Sequence, residues 1–152
     1  MATIRTRLFQ SWFRIARPMT LGVRAIVENE DGKVLLVRHT YVKGLFFPGG
    51  GIEKGELALT ALARELEEEA GVVPSAEPVL LGVYSNHRVF RNDHVLLYRL
   101  KPGSWTSCAP TSRGEIAERI WIDPARAPSD VTPGTGRRLA EVFADGGSDG
   151  YW

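Results

Sequence analysis

Four glutamates lie within five residues, Glu65 to Glu69, near the end of the segment GGGIEKGELALTALARELEEEAGV. On an α-helix, which turns by about 100° per residue, Glu65, Glu68 and Glu69 share one face and Glu67 points away. Like charges three and four residues apart repel each other, and the carboxyl end of a helix disfavours anions. Oxygen ligands without His or Cys favour Mg²⁺ or Mn²⁺ over Zn²⁺. The segment therefore predicts a site for a hard divalent cation, and the alternative is a solvated charged face.

A helix and a glycine loop must position these acids. Apolar residues recur at spacings of three and four and predict one buried stripe, formed by Leu59, Leu62, Leu66 and Ala70. Ala58 and Ala61 fall on the acidic face of the same helix, where they leave space. Gly71 is placed to end the helix as a C-terminal cap. The three glycines that follow Pro48 favour tight turns, so we expect an irregular loop before the helix.

The spacing of these residues resembles a known motif. Gly50, Glu56 and the run RELEEEAGV from Arg64 to Val72 match the Nudix box at every fixed position. The likeness extends over about residues 20–123, because the aromatic-Pro-Gly-Gly entry and the flanking strands are also similar. It implies an α/β fold, a Nudix-type α/β/α sandwich with a mixed central sheet. It further implies a metal-dependent hydrolase that cleaves a nucleoside diphosphate linked to another group.

The resemblance assigns roles to the helix residues one by one. Glu68 and Glu69 match the core metal ligands. Glu65 matches either a further ligand or the general base that takes a proton from water. Arg64 is expected to orient the carboxylates, and Glu56 to fix the loop against the helix or to touch the metal shell. This set agrees with the chemistry, because opening a phosphoanhydride requires negative charge to be stabilised on phosphoryl oxygens.

Residues outside the acidic helix complete the expected site. Gly49 is the candidate for a backbone carbonyl ligand, and Gly50 and Gly51 form the loop that lets the backbone approach a diphosphate. Glu115, shortly before the predicted strand ERIWID, resembles the downstream acid of related proteins. Glu118 is its competitor, and an ordinary surface role is the alternative for either residue.

The substrate is less well specified than the chemistry. His87 stands where ADP-ribose pyrophosphatases of the family tend to carry a proline, and the tyrosine typical of dinucleoside polyphosphate hydrolases is absent. Tyr41 and Phe46 are candidates to stack on a base, and for Phe46 a place in the core is favoured over that role. Arg88 and Arg91, in a polar turn between two strands, are candidates to hold terminal phosphates. The alternative is that these arginines keep an exposed turn soluble.

Length, composition and charge set broad limits on the function. The chain has 152 residues, of which 43% are hydrophobic and 24% charged, which is typical of one folded domain. The net charge is +1, so no global field indicates a stable nucleic-acid complex or a membrane partner. The single cysteine, Cys108, excludes an internal disulfide framework and favours the cytoplasm. No apolar run has the length needed to span a bilayer.

The ends of the chain differ from its centre. Residues 1–18 carry arginines and aromatic residues at roughly helical spacing, which predicts an amphipathic helix that belongs to the same domain. The alternatives for this segment are a transit peptide or a helix on a membrane surface. We expect the Nudix domain to span residues 19–145. The composition of the stretch DGGSDGYW is typical of a frayed end, and we expect residues 146–152 to form a tail.

The strands and the last helix follow from alternation and turn signals. Asp31-Gly32 is a turn signal between TLGVRAIVE and KVLLVRH, which predicts a hairpin. The runs PVLLGVYSNH, DHVLLYRLK and ERIWID predict three further strands, and residues 134–143 predict a final helix. Strands on both sides of a central helix favour a layered domain with a mixed sheet.

The leading hypothesis is Mg²⁺-dependent hydrolysis of a pyrophosphate bond in a nucleoside triphosphate or in a broad range of nucleotides. The first alternative is an ADP-ribose or ADP-sugar pyrophosphatase. An alternative from another class is a module that senses a nucleotide without cleaving it, although such a module would be expected to lose box acids that are all present here. The sequence leaves the oligomeric state open, and a homodimer is one option.

Overall fold

The computed structural model describes residues 12, 15, 18–112 and 114–152. The predicted helix over residues 1–18 therefore lies outside the described residues, except that Trp12 and Ile15 are helical and exposed. The described elements, in chain order, are β1 (Thr20–Val27), β2 (Val34–His39), α1 (Ala58–Glu65), a π-helical turn (Leu66–Ala70), β3 (Val72–Pro74), β4 (Val79–Ser85), β5 (Asp93–Leu100), β6 (Trp105–Ser107), β7 (Ile116–Ile122), a 3₁₀ turn (Pro124–Arg126) and α2 (Pro133–Phe143).

The strands form a mixed arrangement. β1 pairs in parallel with β5, which pairs antiparallel with β4. β2 pairs antiparallel with β7, and β3 with β6. The predicted strands and the predicted last helix are all present, so the layered α/β prediction is confirmed.

The predicted hairpin between β1 and β2 is wrong, although the turn at Gly32 exists. Only Glu28 and Val34 pair across that turn. The physical reason is that both edges of β1 already have hydrogen-bonding partners, so no edge is left for β2. β5 occupies one edge, and the glycine loop occupies the other, where the Val23 amide donates to the Gly50 carbonyl at 2.8 Å. This pairing sets the loop beside the sheet.

Two hydrophobic clusters lie on opposite faces of the strands. Val23, Ala25 and Val27 of β1 pack with Leu62 and Leu66 beneath the acidic helix. The alternate residue Ile26 belongs to the second cluster, which α2 covers through Leu139. The alternation of side chains along β1 therefore separates the two helix layers, giving the α/β/α sandwich.

The buried stripe of α1 differs in part from the prediction. Leu62 and Leu66 are fully buried, but Leu59 is 39% exposed. Ala61, predicted on the acidic face, is fully buried in the core instead. Gly71 ends the helix in the left-handed conformation, with φ of 65°, as predicted.

The prediction of a frayed tail is wrong for its last residues. Tyr151 forms a parallel bridge with Ser85, and the indole of Trp152 packs against Phe47 and Tyr84. The glycine and serine content of the tail predicted disorder, whereas its two aromatic residues, Tyr151 and Trp152, have partners elsewhere in the fold. Among the described residues, no helix is long and apolar enough to cross a membrane.

Candidate active site

The glycine loop is held against β1 by its backbone. The Arg24 side chain donates to the carbonyl oxygens of Phe47, at 3.0 Å, and Gly49, at 2.6 Å. Gly49 has φ of 139°, and a Cβ there would lie 2.1 Å from the carbonyl oxygen of Val23. A Cβ on Gly50 would lie 2.4 Å from the carboxylate of Glu65. At Gly49 only glycine permits this approach of the loop to the sheet, and at Gly50 a side chain would displace the Glu65 carboxylate.

Arg64 connects the loop to the acids. Its Nε and Nη2 donate to the two carboxylate oxygens of Glu56, at 3.0 and 3.1 Å, in a bidentate pair. Its Nη1 donates to Glu65 at 2.7 Å and lies 3.6 Å from Glu68. The guanidinium, followed by the backbone amide of Glu53, lowers the pKa of Glu56. The predicted contacts of Arg64 with the carboxylates, and of Glu56 with the loop, are present.

Glu69 is the buried acid of the site. Its Oε2 accepts a hydrogen bond from the Gly49 amide at 3.0 Å, and its Oε1 lies 3.7 Å from His39 Nδ1. The pKa of Glu69 is raised to about 7, chiefly by burial; the Gly49 amide and Arg24 oppose this rise, and the charges of Glu65 and Glu115 add to it. A carboxylate in this setting is stabilised by any cation that comes to it.

The other three glutamates divide as the helical wheel predicts. Glu67 is exposed, whereas the Glu65 and Glu68 side chains are 15% and 44% exposed and pair with Arg64. The wheel assumed an α-helix, but residues 66–70 form a π-helical turn, in which the amide of Gly71 reaches the carbonyl of Leu66. Such turns occur often at functional sites, and the amino-acid sequence carries no signal for this one.

The donor chemistry of the site fits a hard divalent cation, because every candidate ligand offers oxygen. In the described part of the chain, however, no group of three His, Cys, Asp or Glu side chains stands ready to hold a metal ion. Glu65 and Glu68 are instead paired with Arg64, at 2.7 and 3.6 Å. The Gly49 carbonyl, the predicted backbone ligand, accepts from Arg24 and keeps one further lone pair.

The two candidates for the outside acid have different surroundings. The Glu115 carbonyl accepts a hydrogen bond from the Thr40 amide at 2.9 Å, next to His39. Burial lowers the pKa of His39 and raises that of Glu69, and the charge of Glu115 is a smaller upward influence on both. Glu118 forms an ion pair with Arg38 at 2.9 Å. Arg38 also pairs with Asp130, so Glu118 belongs to a surface network on β2 and β7. This geometry favours Glu115 over Glu118.

A cavity of about 540 Å³ begins at the glycine loop. Gly50, Gly51 and Arg24 line it, and so do residues that the sequence did not indicate: Asn86, Asp93, Thr132, Arg137 and Trp152. Phe46, predicted in the core, is partly exposed and lines the cavity, because it is the next residue, Phe47, that is buried. The cavity is thus lined both by the glycine loop and by Trp152.

The predicted substrate contacts do not line that cavity themselves, although their neighbours Val42, Val89 and Phe90 do. Tyr41 is exposed beside His39, with ring centroids 5.3 Å apart. Arg91 is exposed in the turn before β5. Arg88 lies over the ring of Tyr151, with 3.6 Å between the guanidinium carbon and the ring centroid. None of the three lines the cavity that begins at the glycine loop.

Comparison with known proteins identifies the family. The model of the NUDIX domain matches residues 18–143. A Bacillus subtilis (strain 168) protein, named provisionally as an 8-oxo-dGTP diphosphatase, is 31% identical over 130 residues, covering 86% of this chain and 83% of that protein. The ADP-ribose pyrophosphatase of Methanocaldococcus jannaschii is 37% identical over 87 residues, covering 55% of this chain and 50% of that enzyme.

Solved structures agree on the fold. The MutT NUDIX hydrolase from Burkholderia pseudomallei superposes with a TM-score of 0.67 at 20% identity, over 82% of this chain and 98% of that one. The chain belongs to the Nudix family and is a hydrolase.

Proposed function

We propose that this chain hydrolyses a pyrophosphate bond in a nucleoside diphosphate-linked substrate, with nucleoside triphosphates as the first class. The observation that carries the proposal is the position of Glu69. This buried acid has a raised pKa, and it accepts a hydrogen bond from the glycine loop. The same loop lines a cavity large enough for a nucleoside. A phosphate chain lying along the glycine loop would bring its anhydride beside this acid. The proposal includes Mg²⁺ or Mn²⁺ as cofactor and a cytoplasmic location.

The residues that would hold the metal are Glu68, Glu69, Glu65, Glu115 and the carbonyl of Gly49. When bound, such an ion stabilises charge on phosphoryl oxygens and lowers the pKa of water. Arg64 keeps Glu65 and Glu68 near each other despite their like charges, because one guanidinium lies between both carboxylates. Glu56 holds Arg64 in turn, and Glu65 acts either as a further ligand or as the acceptor of the proton from water.

An ADP-ribose or ADP-sugar pyrophosphatase is the second candidate. The similarity to the Methanocaldococcus jannaschii ADP-ribose pyrophosphatase favours it, although this similarity covers only about half of each chain. A sensor that binds nucleotides without hydrolysis would be expected to lack part of the acid set, which is complete here.

The test compares two variants of the same helix. Glu69→Gln removes the buried acid, and Glu67→Gln is the matched control because Glu67 is exposed. The substrates are four nucleoside triphosphates, 8-oxo-dGTP, ADP-ribose, ADP-glucose and a dinucleoside polyphosphate, with Mg²⁺ or with EDTA, and the readout is phosphate-containing products. We expect Glu69→Gln to lower kcat/KM by at least about 100-fold and the control to stay within about twofold. Equal activities of the two variants would refute the role of Glu69.

The same panel tests the substrate class. Preferred turnover of nucleoside triphosphates supports the proposal, whereas preferred turnover of ADP-ribose or ADP-glucose would replace it with the second candidate. Turnover that persists in EDTA would overturn the metal requirement.

A further inference from the structure

The last residues of the chain cross the far end of the cavity. The Ser85 amide donates to the Gly150 carbonyl at 2.9 Å, and the Trp152 amide donates to the Ser85 carbonyl at 2.9 Å. These bonds extend the end of β4 by one short parallel bridge. They place the Trp152 side chain in the wall of the cavity.

A clamp outside the cavity holds this segment. Arg88 lies 3.6 Å above the centre of the Tyr151 ring and 3.5 Å from the Asp149 carboxylate. Asp149 also accepts a hydrogen bond from the Tyr151 amide at 3.0 Å. Since Arg88 does not line the cavity, these contacts give it a structural role that differs from the predicted phosphate contact.

The indole of Trp152 is seated on three residues. The rings of Phe47 and Tyr84 meet it edge to face, with centroids 6.3 and 6.0 Å away. Gly134 at the start of α2 leaves it room, because a Cβ there would lie 2.5 Å from the indole Cδ1 and Nε1. Contacts from three separate parts of the chain thus fix one aromatic wall.

The two ends of the cavity differ in chemistry. One part carries the glycine loop and Arg24, next to the acids, and Leu21 lies beside that loop, since its carbonyl accepts from the Ile52 amide at 2.9 Å. Away from the loop in the chain, Val89, Phe90 and Trp152 give the cavity apolar lining, beside the polar Asn86 and Arg137. A nucleotide has the same polarity, with a charged phosphate chain at one end and a planar base at the other, and every base presents a face that packs on aromatic side chains.

We propose that Trp152 is a specificity-determining residue, whose indole is the wall against which the base of a nucleoside triphosphate packs. The inference rests on the proposed function, since it assumes that the phosphates lie at the glycine loop. The tail therefore selects substrates that carry a base, and it contributes little to binding of the phosphate chain alone.

The first experiment separates base from phosphate. The KM for ATP, GTP, CTP and UTP and the inhibition constant of inorganic tripolyphosphate are measured for the wild type, Trp152→Ala and Trp152→Phe. Trp121→Phe is the matched control, because Trp121 stacks on Trp105 in the other cluster. We expect Trp152→Ala to raise KM for the nucleotides about tenfold, with kcat and tripolyphosphate inhibition within about twofold. An equal rise for tripolyphosphate, or no rise for any nucleotide, would overturn the inference.

A second pair of variants moves the indole without replacing it. Gly134→Ala inserts a Cβ into the space that the indole occupies, whereas Gly136→Ala in the same helix meets only ordinary contact, 3.6 Å from Val131. We expect Gly134→Ala to raise KM in the same direction as Trp152→Ala and to add nothing further in the Trp152→Ala background. Gly136→Ala is expected to leave KM unchanged. Equal effects of the two glycine variants would count against the wall.

The clamp gives a third comparison. Arg88→Ala is expected to raise KM for nucleotides several-fold and to leave tripolyphosphate inhibition unchanged. If Arg88 instead holds phosphates, inhibition by tripolyphosphate weakens as well, and the clamp is refuted.

Binding without turnover separates this inference from the proposed function. Nucleotides added in EDTA are expected to quench tryptophan emission of the wild type, and Trp152→Phe is expected to lose that change. Quenching without hydrolysis in Mg²⁺ would refute the proposed function and leave the inference standing. Hydrolysis with the same KM and the same quenching in Trp152→Phe would refute the inference alone.

Discussion

The two ends of the cavity are held together in different ways. At the glycine loop, Arg64 and its partner Glu56 are eight residues apart in the chain. At the tail, Arg88 and Asp149 are 61 residues apart. The core of the chemistry end, from Gly49 to Glu69, is thus one short segment to which Arg24 adds a contact from β1, while the tail end is assembled from three separate parts of the chain. The difference indicates that substrate choice can change through the tail without disturbing the acids.

The largest expected effect tests how rigid the loop is. Gly49→Ala forces a Cβ onto the Val23 carbonyl at a backbone conformation that suits only glycine, so we expect a loss of at least about 3 kcal/mol in the free energy of unfolding. Gly51→Ala is the control, because a Cβ there meets nothing within 4 Å. Denaturant unfolding measures both. Equal free energies of unfolding for the two variants would contradict the contrast between the loop and the tail, because the loop would then tolerate a Cβ at Gly49.

Arg64→Lys tests the local network at nearly constant stability. A lysine keeps the charge but cannot donate to both oxygens of Glu56 while also reaching Glu65. We expect kcat/KM to fall by about 10- to 100-fold, with the melting temperature changed by only a few degrees. In the Glu56→Gln background the same change should cost much less, because the two residues act as a unit. Additive losses would mean that Arg64 does not act through Glu56.

The variants Glu115→Gln and Glu118→Gln test which of the two acids outside the helix contributes to metal binding. Because Glu115 acts on Glu69, we expect its variant to raise the Mg²⁺ concentration for half-maximal activity about tenfold. Glu118 pairs with Arg38 at the surface, so its variant is expected to change the unfolding free energy by less than about 1 kcal/mol and to leave the Mg²⁺ requirement unchanged. A magnesium titration of both variants decides. If only Glu118→Gln raised the Mg²⁺ requirement, Glu118 and not Glu115 would be the metal ligand outside the helix.

The smallest expected effect concerns the tail in acid. The hydrogen bond from the Tyr151 amide lowers the pKa of Asp149 below its ordinary value of 3.8. The charges of Arg88 and Arg137 lower it by smaller amounts. A lowered pKa in the folded state stabilises the tail contact above about pH 4, and this contribution is lost as pH falls through the folded pKa. We expect the emission of Trp152 to shift below about pH 4, and Asp149→Asn to show no such shift. An identical shift in both proteins would assign it to another group.

The sequence predicts the chemistry end well because its contacts are local. The spacing of glycines and glutamates limits which side chains share a face, and the helix cap at Gly71 follows from one residue type. The π-helical turn was not predictable, since nothing in the composition of residues 66–70 distinguishes it from an α-helical turn. The prediction that Leu59 is buried was wrong for a related reason, because the spacing of apolar residues does not show where the neighbouring layer ends.

The tail end was not predictable from patterns. The partners of β1 are β5, whose paired residues lie 73 positions further along the chain, and the glycine loop, and neither pairing has a local signal. The wall at Trp152 depends on Ser85, Phe47 and Gly134, and no local signal connects these to the tail. Arg88 looked like a free basic residue in a turn, and its contact with Tyr151 appears only when the chain has folded.

The parallel pairing of β1 with β5 has a consequence for folding kinetics. Thr20 and Asp93, at the start of these strands, are 73 residues apart and both line the cavity. Closing so long a loop is a slow, late step, because its entropy must be lost before the contacts form. The cavity is therefore absent from every partly folded state that lacks this pair. A nucleotide that binds there stabilises the native chain alone, and it raises the melting temperature in proportion to the logarithm of its concentration.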